Sequence, residues 1–148
     1  ITLKFEELMY EKKSVSLVLI DLDNFKPINE THGRKAGDIV LRQVAQMLQS
    51  NIRDTDILGR WGGEEFLLLM QDTGPHEAVE LCQELCKKLA AMTITTGTTS
   101  IQITGSFGVS FTATPRTLSE VITAADDALF SAKRDGRNMV RMQLIESD

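Results

Sequence analysis

The segment from Val15 to Leu22 constrains the fold of this chain most, because its apolar residues do not alternate with polar ones. A strand of this kind is covered on both faces, as in the middle of a sheet with helices on each side. The run ends in Asp21 and Asp23, so two carboxylates lie at the carboxyl end of a buried strand. The sequence therefore predicts a central strand that carries charge at the edge where open α/β sheets bind ligands.

Helices with core-facing apolar spacing are predicted on both sides of this strand. They cover residues 2–12, 37–51 and 75–92, and a fourth helix follows the capping-box sequence Thr117-Leu118-Ser119-Glu120 and ends at Gly136. A stretch that contains proline, asparagine and glycine separates the central strand from the second of these helices.

The other strands are predicted from hairpin signals and apolar runs. They lie at Ile57 to Arg60, Glu65 to Met70, 103–111 and Met139 to Met142, and a small hairpin is predicted within Thr93 to Thr104. Gly62-Gly63, between the first two strands, is typical of a two-residue turn. The mixture of hairpins and helical crossovers predicts an α/β sandwich with a central mixed sheet.

Length and charge limit the class of function. The 148 residues match one domain of ordinary size. A formal net charge of −5 argues against a protein that wraps nucleic-acid backbone, which takes a surplus of Lys and Arg. A single nucleotide is compatible with this charge, because a bound metal and a few placed cations balance one triphosphate.

The chain has no apolar run of membrane-spanning length and no signal-peptide pattern. Its two cysteines, Cys82 and Cys86, are expected to be buried thiols in a reducing compartment. We therefore expect a cytoplasmic segment without membrane contact of its own. Because it begins at Ile1, we also expect it to be part of a longer protein.

Two short motifs carry the candidate chemistry. At the end of the central strand, Asp21 and Asp23 beside Lys26 suit a hard divalent cation that carries substrate phosphates. Solvated acids at a strand end explain the same residues equally well.

The second motif is Arg60-Trp61-Gly62-Gly63-Glu64-Glu65-Phe66. The two glycines allow a ligand to approach the backbone closely, and the adjacent glutamates repel each other unless a cation lies between them. A type I′ hairpin with an acidic exit is the alternative on local grounds.

Together these motifs resemble the GGDEF domain of diguanylate cyclases, here in a GGEEF form. The resemblance runs from about residue 3 to the C-terminus. It is carried by Asp21-Leu22-Asp23-Asn24-Phe25-Lys26-Pro27-Ile28-Asn29, Gly33, Gly37-Asp38, Arg53-Asp54-Thr55-Asp56, Gly62-Gly63-Glu64-Glu65-Phe66, Ala125-Asp126-Asp127-Ala128-Leu129, and Lys133 followed by Gly136-Arg137-Asn138.

The resemblance implies a palm-like fold with a mostly antiparallel sheet and a ferredoxin-like βαββαβ core flanked by helices. It also implies that residues 1–148 are a single catalytic domain of a multidomain signalling protein with an upstream sensory or receiver domain. The family condenses two GTP molecules into cyclic di-GMP and two pyrophosphates, with Mg²⁺ or Mn²⁺, across a homodimer. Each ribose 3′-hydroxyl attacks the α-phosphate of the other GTP.

Site residues follow from the same resemblance. Asp21 and Glu64 match metal-ligand carboxylates, with the Leu22 carbonyl as a further ligand, and Glu65 is a candidate to assist the attacking hydroxyl. Substrate contacts are implied for Lys26, Lys133 and Arg137 at the phosphates, for Asn29 and Asp38 at guanine, and for Phe25, Gly62 and Gly63.

Arg53 and Asp56 lie where the inhibitory product site of the family begins. Arg can bind a phosphate or a guanine edge and Asp can accept from guanine N–H groups, although the same spacing is a common helix-end pattern. The family's partner arginine on the following helix corresponds to Glu84 here.

Three functions remain open from the sequence. The first is an active diguanylate cyclase, which the intact carboxylates Asp21, Glu64 and Glu65 favour. The second is a non-catalytic receptor that binds cyclic di-GMP through Arg53 and Asp56. The third is another nucleotidyltransferase of similar metal geometry, against which the guanine readers argue.

Overall fold

The computed structural model describes residues 1–145. Helices pack against both faces of a β-sheet. The helices are α1 (Thr2–Tyr10), α2 (Phe25–His32), α3 (Arg34–Ser50), α4 (Pro75–Ala91) and α5 (Leu118–Arg134). The strands are β1 (Val15–Leu22), β2 (Ile57–Arg60), β3 (Glu65–Gln71), β4 (Ile94–Thr96), β5 (Thr99–Ile101), β6 (Gly105–Thr112) and β7 (Val140–Leu144).

Five strands form one mixed sheet in the order β2-β3-β1-β6-β7, and β4 and β5 form a separate hairpin. The central strand β1 is antiparallel to both β3 and β6, and all eight of its residues are buried. Among the strands of residues 1–145, only the pairing of β6 with β7 is parallel. The predicted α/β fold, with its mixed and mostly antiparallel sheet, is confirmed.

Alternate residues of β1 enter two different cores. Val18, Ile20 and Leu22 pack with apolar residues of α3 and α4 on one face of the sheet. Val15, Leu17 and Leu19 pack with residues of α1 and α5 on the other face. The absence of alternation in the sequence thus reflects burial on both sides.

Cys82 and Cys86 are buried free thiols, as expected, and both lie on α4. Burial raises the pKa of each thiol, which keeps it protonated at neutral pH. They therefore act as small apolar side chains in the core.

Two local features differ from the sequence prediction. The stretch after β1 contains α2, and α3 begins at Arg34 rather than at residue 37. The connection between β2 and β3 has four residues, 61–64, rather than two. Its glycines do not adopt the positive φ that a type I′ turn requires, so that alternative is wrong.

The capping box of α5 is present as predicted. Thr117 Oγ1 accepts a hydrogen bond from Glu120 N at 3.1 Å, and Thr117 N donates to Glu120 Oε1 at 3.2 Å. At the other end the helix stops before Gly136, which has a φ of +125°. These two ends fix which residues of α5 reach the carboxyl end of β1.

No helix among residues 1–145 is long and apolar enough to cross a membrane.

Gly108 in β6 generates a stability prediction. A Cβ there would overlap the Ala125 carbonyl oxygen and lie 2.8 Å from the Leu129 Cα, both in the backbone of α5. Gly108→Ala should therefore lower the free energy of unfolding by roughly 1–3 kcal/mol, because α5 must move away from the sheet. Urea denaturation measures this.

Gly63→Ala is the matched control, because a Cβ at Gly63 meets no heavy atom within 4 Å. We expect its free energy of unfolding to stay within about 0.5 kcal/mol of the unsubstituted protein. Equal stability of the two variants would show that the α5–β6 contact is not as close as described.

Candidate active site

The site is built around Asp21, the last residue of β1 on the sheet face that α1 and α5 cover. Asp21 lies opposite Glu65 of β3 and Ser106 of β6 in the sheet. Its side chain is 8% exposed, and its carboxylate accepts a hydrogen bond from the ammonium of Lys133 on α5. The central strand and the C-terminal half of α5 thus meet in one ion pair.

Glu64 is held beside the same strand end by the backbone. Leu22 N donates to Glu64 O at 3.1 Å, which extends the β1–β3 pairing by one hydrogen bond beyond the strands themselves. Glu64 and Glu65 are both half-buried. The hairpin connection therefore brings two more carboxyl groups to the end of β1.

The pKa of Glu65 is raised above its ordinary value. Burial is the largest cause, followed by the negative charge of Asp21, and Asp126 and Glu64 act in the same direction. Lys133 opposes them. Glu65 is thus held in a mainly negative field that one lysine partly compensates.

A cavity of about 250 Å³ opens at this point. It is lined by Asp21, Leu22, Asp23, Asn24, Phe25, Lys26, Pro27, Glu64, Lys133 and Arg137. Three cationic side chains from α2, α5 and the residues after α5 thus line the same cavity as three acids at or beside the strand ends, Asp21, Asp23 and Glu64. The structure brings together the residues that the sequence assigned to metal and phosphates.

The oxygen donors of this cavity fit a hard divalent cation. Asp21, Glu64 and the Leu22 carbonyl are the donor types that Mg²⁺ prefers. Among residues 1–145 no group of three or more His, Cys, Asp or Glu side chains is placed to hold a metal. A cation at Asp21 and Glu64 would complete its shell with water and phosphate oxygens, as Mg²⁺ commonly does.

Asp23 is hydrogen-bonded to other parts of the protein. It lies beyond the end of β1, and its carboxylate is engaged by Thr104 Oγ1 at 2.7 Å, Ser106 Oγ at 2.6 Å and Asn138 N at 3.0 Å. Three protein donors thus occupy most of the acceptor sites of the Asp23 carboxylate, and the use of Asp21 and Asp23 as a joint metal-binding pair stays a prediction.

Asn29 and Asp38 lie on neighbouring helices, α2 and α3, outside the lining of the cavity. Asn29 fits against Gly37, where a Cβ would overlap its side-chain amide oxygen. Phe25, at the start of α2, also approaches this glycine, 3.2 Å from the same hypothetical Cβ. The glycine beside Asp38 thus makes room for the amide of Asn29.

Arg60 stabilises the connection that contains Gly62 and Gly63. Its Nη2 donates to Gly63 O at 2.5 Å, and its guanidinium lies 5.6 Å from the centre of the Phe66 ring. No heavy atom would lie within 4 Å of a Cβ at Gly63, so the backbone there is open to a ligand.

Arg53 and Asp56 bind each other away from this cavity. The Asp56 carboxylate is fully buried and accepts from Arg53 N at 2.9 Å, Nε at 3.2 Å and Nη2 at 2.9 Å. The hydrogen bond to Asp56 raises the pKa of Arg53, and the guanidinium also donates to Thr73. About half of the Arg53 side chain remains exposed, and Glu84 lies exposed on α4.

Sequence reasoning missed the partners of Asp23. Thr104 and Ser106 are ordinary hydroxyls in a Thr-rich and strand-like stretch, and nothing in their spacing indicated a carboxylate partner. Asn138 enters the sequence prediction only as part of the motif Gly136-Arg137-Asn138. The backbone of Arg137 and Asn138, both with positive φ, is the structural feature that marks this corner as unusual.

These features define a palm-like α/β domain with an acidic strand end facing cationic side chains. The family model described as "Diguanylate cyclase, GGDEF domain" matches residues 1–139, and the chain belongs to this family.

Among curated relatives, the chain is 35% identical over 133 residues to Diguanylate cyclase A of Treponema denticola, covering 89% of this chain and 36% of that protein. The chain thus spans about a third of that relative's length.

Solved structures are similar over almost the whole chain. The GGDEF domain of DgcB from Caulobacter crescentus, in complex with c-di-GMP, has a TM-score of 0.88 at 26% identity, over 95% of this chain and 84% of that one. An active GGEEF domain of a diguanylate cyclase from Vibrio cholerae has a TM-score of 0.87 at 31% identity, over 99% and 92%.

The environment of Glu65 predicts opposite effects of two substitutions. Lys133→Gln should raise the pKa of Glu65 further, because it removes the opposing positive charge. Asp126→Asn should lower it, because it removes a negative charge. Carbon-13 NMR titration of the Glu65 carboxyl measures both shifts, and a change of the same sign in the two variants would contradict this account of the site's field.

Proposed function

We propose that this domain is a diguanylate cyclase, which condenses two GTP molecules into cyclic di-GMP and two pyrophosphates. The observation that carries the proposal is that one cavity is lined by both Asp21 and Glu64 and by Lys26, Lys133 and Arg137. Acids for a cation and cations for phosphates are what a nucleotidyl transfer between triphosphates requires. The similar proteins named above support the choice of reaction.

Asp21, Glu64 and the Leu22 carbonyl would hold the Mg²⁺ or Mn²⁺ ion. When bound, the ion stabilises negative charge on the phosphates and makes the attacking hydroxyl more acidic. Lys26, Lys133 and Arg137 come from three different segments, so they can contact different oxygens of one triphosphate. Lys133 is already held in place by its ion pair with Asp21.

Glu65 is proposed to accept the proton of the attacking 3′-hydroxyl. A carboxylate with a raised pKa is a better base, because its pKa is closer to neutral pH. In each transfer the 3′-oxygen forms a bond to the α-phosphorus, the bond to pyrophosphate breaks, and the hydroxyl proton moves to Glu65. Two such transfers close the cyclic dinucleotide.

Guanine recognition is assigned to Asn29 and Asp38. An amide and a carboxylate can together address the O6 acceptor and the N1 and N2 donors of guanine, which adenine does not present. Phe25, Gly62 and Gly63 would complete the substrate contacts. The open backbone at Gly63 supports this role for the connection between β2 and β3.

A homodimer follows from the stoichiometry of the proposal. One cavity with one set of phosphate-binding cations binds one GTP, so the second GTP must be presented by a second copy of the domain. We further propose that an upstream sensory or receiver domain, in a longer protein, controls how often two copies meet.

Product inhibition is proposed at Arg53 and Asp56. Asp56 fixes the guanidinium of Arg53 through two side-chain hydrogen bonds, and the exposed part of Arg53 is available to a phosphate or guanine edge. The buried carboxylate of Asp56 would then orient Arg53 more than contact the product itself.

Incubation with GTP and Mg²⁺ tests the proposal, with cyclic di-GMP quantified by chromatography. Glu64→Ala should lower turnover on the order of 100-fold or more, since it removes a charge from the cation site. It should leave the melting temperature nearly unchanged, because no core volume is lost. Glu6→Ala, on the exposed face of α1, is the matched control and should keep full turnover.

No cyclic di-GMP from the unsubstituted protein at a concentration where it is shown to be dimeric would refute the cyclase. If that protein still bound cyclic di-GMP, and Arg53→Ala abolished the binding, the receptor function would replace it.

Gly37→Ala tests the guanine assignment. The added methyl group should displace the Asn29 amide and raise the KM for GTP about tenfold, because a base-recognising hydrogen bond is lost. Gly74→Ala, where a Cβ meets no heavy atom within 4 Å, is the control. Steady-state kinetics measure both variants, and an unchanged KM in Gly37→Ala would remove Asn29 from the guanine contact.

A further inference from the structure

Asp23 is a buried carboxylate that the proposed reaction does not use. It is 6% exposed, and three neutral donors engage it. Oδ2 accepts from Thr104 Oγ1 and from Asn138 N, and Oδ1 accepts from Ser106 Oγ. A buried charge needs such donors, and their number indicates that this carboxylate organises the surrounding protein.

The donors come from distant parts of the chain. Thr104 directly precedes β6, Ser106 is its second residue, and Asn138 lies between α5 and β7. Asp23 N also donates to Thr104 O at 2.8 Å, so the residue is tied to β6 by its backbone as well. Asp23 therefore joins the end of β1 to the turn that follows α5.

That turn has an unfavourable backbone. Arg137 and Asn138 both adopt left-handed conformations, with φ values of 64° and 49°. Asn tolerates this region but Arg rarely adopts it, so two such residues in succession are favoured where neighbouring groups hold them. Arg137 N donates to Ala132 O at 2.9 Å, and Asn138 N donates to Asp23, so the turn is held from both sides.

Arg137 lines the same cavity as Lys26 and Lys133. Its direction depends on the left-handed backbone of the turn, because a change of φ at residues 137 and 138 would redirect the side chain. The bond from Asn138 N to Asp23 is thus placed to determine whether Arg137 faces the cavity.

We propose that Asp23 is a positioning residue, which fixes the backbone of Asn138 and so presents Arg137 to the phosphates of the nucleotide, and that it is not a metal ligand. This inference rests on the proposed function for the identity of the bound group. It assigns different roles to the two carboxylates Asp21 and Asp23, which are separated by one residue.

Substitution by asparagine separates the two roles. In Asp23→Asn the amide oxygen can take the place of Oδ2 and keep the hydrogen bonds from Thr104 Oγ1 and Asn138 N. The amide NH₂ takes the place of Oδ1 and donates to Ser106 Oγ. A positioning residue therefore tolerates this change, whereas a metal ligand does not. Asp23→Ala removes the acceptor and releases the turn.

The metal part of the test uses Mn²⁺ binding, followed by electron paramagnetic resonance in the presence of the α,β-methylene analogue of GTP. We expect Asp23→Asn to bind Mn²⁺ within about twofold of the unsubstituted protein. Asp21→Asn should bind it at least about tenfold more weakly. Equal losses in the two variants would make Asp23 a metal ligand and overturn the inference.

The phosphate part is a double-mutant cycle on the affinity for the same analogue, measured by calorimetry. Asp23→Ala and Arg137→Ala should each weaken binding about tenfold, and the double variant should be no weaker than Arg137→Ala alone. Ser106→Ala removes a donor to Asp23 without touching Asn138, and should stay within about twofold. Additive losses would show that Asp23 does not act through Arg137.

Amide hydrogen exchange at Asn138, without nucleotide, provides the structural readout. Protection of this amide should be kept in Asp23→Asn and lost in Asp23→Ala. Unchanged protection in Asp23→Ala, even in a destabilised variant, would show that Asp23 does not hold the backbone of Asn138. Analogue binding without production of cyclic di-GMP would refute the proposed function alone. No analogue binding by the unsubstituted protein would refute the phosphate role of Arg137 and this inference with it.

Discussion

The fixed position of β1 in the middle of the sheet is the constraint on which the rest of this domain depends. Its residues are buried on both faces, and its two edges are paired with β3 and β6. A strand held in this way cannot shift without opening two cores and two sets of hydrogen bonds. The carboxylate of Asp21 is therefore presented at a fixed point, and α2, α5 and the β2–β3 connection are arranged around it.

Much of this arrangement could be predicted from local sequence patterns. The bounds of β1 and the capping box of α5 follow from apolar runs and from a four-residue motif, which are both local signals. The length of the β2–β3 connection could not be predicted, because two adjacent glycines favour a two-residue turn only where both adopt positive φ. Here Trp61 N and Gly62 N both donate to the Glu65 carbonyl oxygen, and the connection between β2 and β3 has four residues instead of two.

The candidate site shows the same division between local and distant information. Asp21 and Lys133, 112 residues apart, were both assigned by motif, but their contact is a property of the fold. Strand alternation made Asp21 and Asp23 equivalent, whereas the structure separates them, because the donors to Asp23 lie 81, 83 and 115 residues further along the chain. Hydrogen bonds between such distant residues leave no periodic signal in one sequence.

We propose that this chain carries one half of an active site, which is complete only when two copies of the domain meet. The most direct test is the rate of cyclic di-GMP formation per domain, measured with GTP and Mg²⁺ over a range of protein concentrations where sedimentation shows the domain to be mainly monomeric. The rate per domain should rise in proportion to protein concentration in this range. A rate per domain that stays constant there would show that one copy is sufficient, and would contradict the account.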